Sequence, residues 1–282
     1  MMPFLWSTIA REGQIYGNRA RGSSAQVTNG LKFSYPGYNE MLTGAADPRI
    51  RSNSYGVNPN VTVFEWLSRK SGFSNRVAAF GTWGVFNDIF NRERAGFTVL
   101  AGWEAPIAKP RTRSDSMLNR LYRTTVRTWD DNAYDALMQA TLLDYLRDHR
   151  PRALFVGYGE TDEWAHSGRY DRVLRSARAV DDFIAELWNA LQAMPAYRGT
   201  TTLIVTTDHG RGSVGTTWRD HGEQVAGAED IWIAMLGPDT PALGERANVD
   251  RVTQSQIAGT IAALLGENYV GAAPPMRGVM RN

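Results

Sequence analysis

The chain has 282 residues, 43% hydrophobic and 21% charged, so a sizeable core can form and wholesale disorder is excluded. Its 31 basic and 29 acidic residues leave a formal net charge of +2, which creates no broad field for nucleic acid or an anionic membrane. Cysteine is absent, which removes disulfides, thiolate metal sites and thiol nucleophiles together. A metal site must therefore use His, Asp, Glu or hydroxyl oxygen, and there are only 4 histidines.

Met1-Met2-Pro3-Phe4-Leu5-Trp6 has no basic flank leading into an apolar stretch, so it does not read as a secretory signal. No run approaches the roughly 18 apolar residues of a membrane span. Residues 4–17 are expected to form a short helix running into a loop at Gly13. Leu31-Lys32-Phe33-Ser34-Tyr35-Pro36 reads as a short extended piece. It feeds a helix over 37–42 that has Pro36 at its first turn and ends near Thr43-Gly44. Residues 45–60, rich in Asn, Ser, Pro and Gly, are loop. An amphipathic helix is expected over 61–71 and a buried strand over 76–79. Residues 84–132, less regular and carrying Trp103 and Trp129 among arginines and acids, read as a cap or insertion.

The second half is clearer. Residues 133–149 show a helical face of Leu137, Ala140, Leu143 and Leu146. Residues 152–158 are an apolar run of strand length. Residues 170–194 have helical spacing through Val173, Ala177, Val180, Ile184, Leu187 and Leu191. Residues 201–206 and 231–236 are two further buried strands, and 253–265 another amphipathic helix. Apolar strands alternating with helices predict an α/β fold, a mostly parallel sheet with helices on both faces, as a single domain over 1–282.

In such folds ligands bind beyond the carboxyl ends of the strands, where this sequence places its unusual residues. Asp162 and His166 follow the 152–158 strand, Asp208 and His209 follow the 201–206 strand, and His221 lies a little further on. Singly, an Asp-His-Gly or Asp-x-x-x-His reads as a turn, a cap or a surface pair. His149, in Arg147-Asp148-His149-Arg150, reads as a solvated helix end. Jointly, nitrogen and oxygen donors without sulfur suit zinc, manganese or a similar divalent ion. Two ligand sets suggest two ions clamping the entering and leaving oxygens of a displacement.

These residues, together with Ser34-Tyr35-Pro36-Gly37-Tyr38-Asn39-Glu40-Met41-Leu42-Thr43-Gly44, resemble the alkaline phosphatase superfamily, and in particular its phosphodiesterase branch. There a Thr or Ser nucleophile precedes x-Pro and a helix ending in Thr-Gly. The resemblance implies an alkaline-phosphatase-like core with two divalent ions, zinc above all. It makes Ser34 the nucleophile, assigns Asp162, His166 and His221 to one ion, and assigns Asp208 and His209 to the second. A serine needs a base or a metal to attack, and a position just before a helix start favours an anionic phosphoryl group. The plain alternative for Ser34 is an N-cap. The resemblance also implies an Asn that holds a substrate oxygen; Asn53 is the candidate, with Asn58 and Asn60 competing. Lys32, two residues before Ser34, would share its side of an extended segment and could touch a substrate anion.

The superfamily's second site has a further Asp, at the end of a strand upstream of the nucleophile. No Asp precedes Asp47 here, so a sequence lacking its first strand is expected. The sulfatase pattern Ser-x-Pro-x-Arg is met except that Tyr38 replaces the Arg, which favours an unmodified serine and phosphoryl transfer. The expected activity is hydrolysis of a small-molecule phosphate ester by a phosphodiesterase or phosphatase. The alternatives are sulfate ester hydrolysis, a phosphomutase, and a metal-binding module without activity. A Ser-His-Asp triad is more distant, because it leaves the second His–Asp set unexplained. No nucleic-acid or membrane partner is expected. Family habit suggests a periplasmic or extracellular location for the full-length protein.

Overall fold

The computed structural model describes residues 1–107, 110 and 112–280. They form two compact units. The first comprises 1–55, 60–63 and the chain from 165 onward; the second comprises 56–59 and 64–164. Among the described residues, no helix is long and apolar enough to cross a membrane.

The second unit holds the parallel sheet that the apolar runs predict. Val77–Gly81 lies between Thr98–Ala101 and Ala153–Gly157 and is parallel to both. All 5 residues of the central strand are buried, as befits a strand covered on both faces. Phe64, Phe86, Phe90 and Phe155 form an aromatic core of edge-on and tilted pairs beside it, with centroids 5.1–6.3 Å apart, within the range that ring quadrupoles favour. Thr98–Ala101 falls inside the stretch expected as a cap and is a sheet strand instead. Four residues flanked by Arg, Gly and Trp are too few to show a period.

The first unit is mixed rather than parallel. Its larger sheet has the order Leu203–Thr206, Ile233–Leu236, Gln14–Tyr16, Gly244–Glu245. Ile233–Leu236 runs antiparallel to both of its neighbours, while Gln14–Tyr16 and Gly244–Glu245 are parallel. A parallel pair needs a crossover, usually a helix; the only helical turn between residues 206 and 233 is the short Thr217–Arg219. The expected strand over 231–236 divides at Trp232. Asp230–Ile231 joins a second small sheet with Ala25–Gln26 and Val252–Thr253.

Helix Leu5–Ile9 and its continuation Ala10–Glu12 run into the Gln14–Tyr16 strand, where only a loop was expected. The Asp181 carboxylate, buried on helix Tyr170–Ala193, accepts from Phe4 N at 2.8 Å and Leu5 N at 2.9 Å. It thereby satisfies amides that an isolated helix start leaves unpaired. Asp135–His149 and Gln256–Leu264 form close to their expected spans. The helix expected over 61–71 is shorter, Val63–Ser68.

Candidate active site

The helix after the 31–33 segment is Ser34–Thr43, so Ser34 is its first residue rather than the residue before it. Phe33 is the cap position and gives no side-chain bond. The N–H of Tyr35 instead donates to Asn53 Oδ1 at 2.9 Å. Pro36 sits within the first turn, where its missing N–H costs nothing. Gly44 closes the helix in the left-handed region at φ 81°, as C-terminal glycines do.

Ser34 is therefore not an N-cap. Its Oγ lies 3.2 Å from His209 Nε2. Asp208 Oδ2 lies 3.5 Å from the same nitrogen. His209 Nδ1 contacts the carbonyl of Gly210 at 2.9 Å; a carbonyl can only accept, so Nδ1 carries the ring proton and Nε2 presents a lone pair. Hydroxyl, carboxylate and imidazole thus converge on one point. Close packing puts them there: a Cβ on Gly37 would stand 2.3 Å from the Asp208 carbonyl oxygen. Gln254 Nε2 donates to the carbonyls of Thr207 and Asp208 at 3.0 and 2.8 Å. No sequence pattern marks Gly37 or Gln254, because their roles exist only across the fold.

His221 stacks on His209 with centroids 3.9 Å apart. Its Nδ1 contacts the Lys32 carbonyl at 2.9 Å, which again puts the ring lone pair on Nε2, and that nitrogen is 3.0 Å from His166 Nε2. Three of the sequence-predicted metal histidines therefore meet within the first unit, beside Asp208. Asp162 stands one turn before His166 on helix Glu160–His166, a spacing that puts both on one helix face. The start of that helix is held by Asp135, whose Oδ1 accepts from Gly159 N and Glu160 N at 3.2 and 3.4 Å. Glu160 Oε1 accepts in return from Asp135 N at 3.0 Å. Burial, then the neighbouring Glu160 charge, pushes the Asp135 carboxyl up to about 8.

The donors fit a divalent ion. Two ligands at about 2.0–2.2 Å from a tetrahedral zinc lie roughly 3.3 Å apart, close to the 3.0–3.5 Å separations among these atoms. A backbone carbonyl on the far nitrogen, as His209 and His221 have, is also a usual way a protein orients a metal-binding histidine.

Of the remaining candidates, Lys32 is not extended: its φ is 57°, and its Nζ donates to Val225 O and pairs with Glu229. The alternation argument for its side chain therefore fails. Asn58 is buried and donates to Ile89 O, and Asn60 donates to Asn39 and Asp47. Asn53, bound to the start of the Ser34 helix, is the one of the three attached beside the hydroxyl. His149 ends its helix, exposed and stacked on Tyr145.

Against known proteins, the family model for type I phosphodiesterase / nucleotide pyrophosphatase matches residues 6–259. No curated protein matches the sequence. Among solved structures, murine ectonucleotide pyrophosphatase / phosphodiesterase 5, as an inactive variant in complex with AMP, is 12% identical with a TM-score of 0.61; the match covers 99% of this chain and 96% of that one. A mutant of alkaline phosphatase PafA is 10% identical with a TM-score of 0.70, over 99% and 96%. Phosphonate monoester hydrolase of Agrobacterium radiobacter is 14% identical with a TM-score of 0.59, over 94% and 69%. At these identities the structural matches establish the alkaline-phosphatase-like α/β fold, while the family model reaches across both units and through the strand ends that carry Asp162, Asp208 and His209. The chain belongs to the type I phosphodiesterase / nucleotide pyrophosphatase family of the alkaline phosphatase superfamily, and is a phosphoric ester hydrolase.

Proposed function

We propose that the protein hydrolyses a small-molecule phosphate ester with Ser34 as nucleophile and divalent ions, zinc first, as cofactors. The observation that carries this is the convergence of Ser34 Oγ and Asp208 Oδ2 on the same nitrogen of His209. In a Ser-His-Asp relay the carboxylate orients the nitrogen opposite the serine. Here that nitrogen is held by a main-chain carbonyl. Three lone-pair donors around one point suit a shared cation instead.

Asp162, His166 and His221 would hold one ion, and Asp208 and His209 would contribute to the second. Such ions supply charge stabilisation for the oxygens of an in-line displacement and lower the pKa of the serine hydroxyl. Ser34 would attack phosphorus from the positive end of a helix; the P–O bond to the departing alcohol breaks as the Ser34 Oγ–P bond forms, and water then hydrolyses the phosphoserine to free phosphate. Asn53, whose Oδ1 accepts from Tyr35 N, would offer its Nδ2 to a phosphoryl oxygen. Tyr38, in place of the sulfatase arginine, supports phosphate over sulfate. That one structural relative was crystallised with AMP supports a small phosphate ester.

The test is hydrolysis of aryl phosphate monoesters, aryl phosphate diesters and aryl sulfate by protein of measured metal content. The expected result is phosphate ester turnover that EDTA removes and zinc or manganese restores. Turnover unaffected by complete metal removal overturns the reading.

A further inference from the structure

Glu40 takes no part in the chemistry above, yet its side chain is fully buried on the Ser34 helix. Its carboxylate accepts from Thr28 N, Thr28 Oγ1, Asn29 N, Asn29 Nδ2 and Ser255 N at 2.8–3.2 Å. A buried carboxylate is tolerated only when several donors replace its water. Four of these donors belong to two successive residues, so the carboxylate immobilises Asn29 in particular.

Asn29 passes the constraint on. Its Oδ1 accepts from Leu31 N at 3.0 Å and Lys32 N at 2.8 Å. Those two bonds hold Lys32 at φ 57°, a left-handed region that non-glycine residues seldom adopt. In that conformation the Lys32 carbonyl receives His221 Nδ1 at 2.9 Å. Phe33, the next residue, packs edge-on against the same ring at 5.6 Å. An unbroken chain of hydrogen bonds thus runs from Glu40 through Asn29 and Lys32 to the far nitrogen of His221.

We infer that Glu40 and Asn29 are positioning residues that lock His221 as its Nδ1–H tautomer, with Nε2 turned toward His166. Their contribution to metal capture rests on the reading above; their effect on the tautomer does not. Glu40→Gln leaves one oxygen to serve donors that now use two, and adds an N–H₂ facing other donors. Asn29→Ala removes the Oδ1 acceptor at a half-buried site and so perturbs the core less.

The experiment is long-range ¹⁵N NMR of the histidine rings in metal-free protein, followed by zinc titration. Wild type should show His221 protonated at Nδ1. Asn29→Ala and Glu40→Gln should each shift it toward the Nε2–H form or a mixture, and weaken zinc about 10–100-fold. Asn18→Ala is the control: it removes a comparable side-chain-to-backbone bond, at Ala20 N and 3.1 Å, and should leave the His221 signature unchanged. Asn29→Ala that is folded by circular dichroism, with wild-type His221 signals and wild-type zinc affinity, overturns the inference. A shifted tautomer in protein that binds no zinc supports the positioning role while removing the metal reading.

Discussion

Ser34 Oγ and His209 Nε2 are 3.2 Å apart although 175 residues separate them in the chain. The ring's other nitrogen is fixed by the Gly210 carbonyl, so the lone pair facing the serine is set by the backbone. The hydroxyl does not cap its helix, which separates its chemical role from its structural one.

Ser34→Ala should therefore abolish turnover while sparing the fold. We expect kcat/KM to fall at least about 10³-fold, with stability changed by less than about 1 kcal/mol because no cap is lost. Steady-state kinetics and urea denaturation check both halves. Activity persisting in the variant removes Ser34 as nucleophile.

Gly37 decides how closely the nucleophile helix approaches Asp208. Alanine normally stabilises a helix interior by about 1 kcal/mol over glycine. Here its Cβ would meet a main-chain carbonyl oxygen at 2.3 Å, and backbone cannot rotate away as a side chain can. Gly37→Ala should be net destabilising by about 1–3 kcal/mol and lower kcat through displacement of Asp208. A rise in the urea midpoint would contradict it.

Metal removal should act selectively. Chelation is expected to lower Tm, since a ligand bound only by the folded state stabilises it. His166→Ala should lose zinc by elemental analysis, whereas Ser34→Ala should keep its Asp and His donors and most of its metal. Equal metal content in wild type and His166→Ala would contradict the assignment.

Asp135 should impose a pH dependence on stability. Its carboxyl is raised from 3.8 to about 8, by burial and then by Glu160. Between those values the unfolded chain has released the proton that the folded chain retains, so stability falls as pH rises. The contribution is complete below about pH 4 and lost by about pH 8. Asn keeps the oxygen that accepts from Gly159 and Glu160 but cannot ionise. Urea midpoints of Asp135→Asn should therefore exceed wild type at pH 8 by more than at pH 4; parallel curves would refute the shift.

Much of this was legible in the sequence, and the exceptions have physical causes. The long helices 135–149 and 170–193 and the strands 77–81, 153–157 and 203–206 announce themselves through an apolar period or run. The short strands 14–16 and 98–101 do not. The 231–236 run reads as one strand because hydrophobicity reports burial, not which sheet a residue joins; the break at Trp232 depends on partners.

The candidate site divides the same way. His, Asp and Ser at loop and strand ends are chemical types that the sequence alone names, since few other residues can hold a metal or attack phosphorus. Asp162 and His166 could be paired from helical spacing by itself. What only the tertiary structure decided is direction. Lys32 enters the left-handed region and turns its carbonyl to His221, Gly37 lets Asp208 reach the helix, and backbone acceptors choose the ring nitrogen that His209 and His221 present. Donor identity is a property of a residue, whereas the lone pair His221 offers is set by Lys32, which folding brings from 189 positions away.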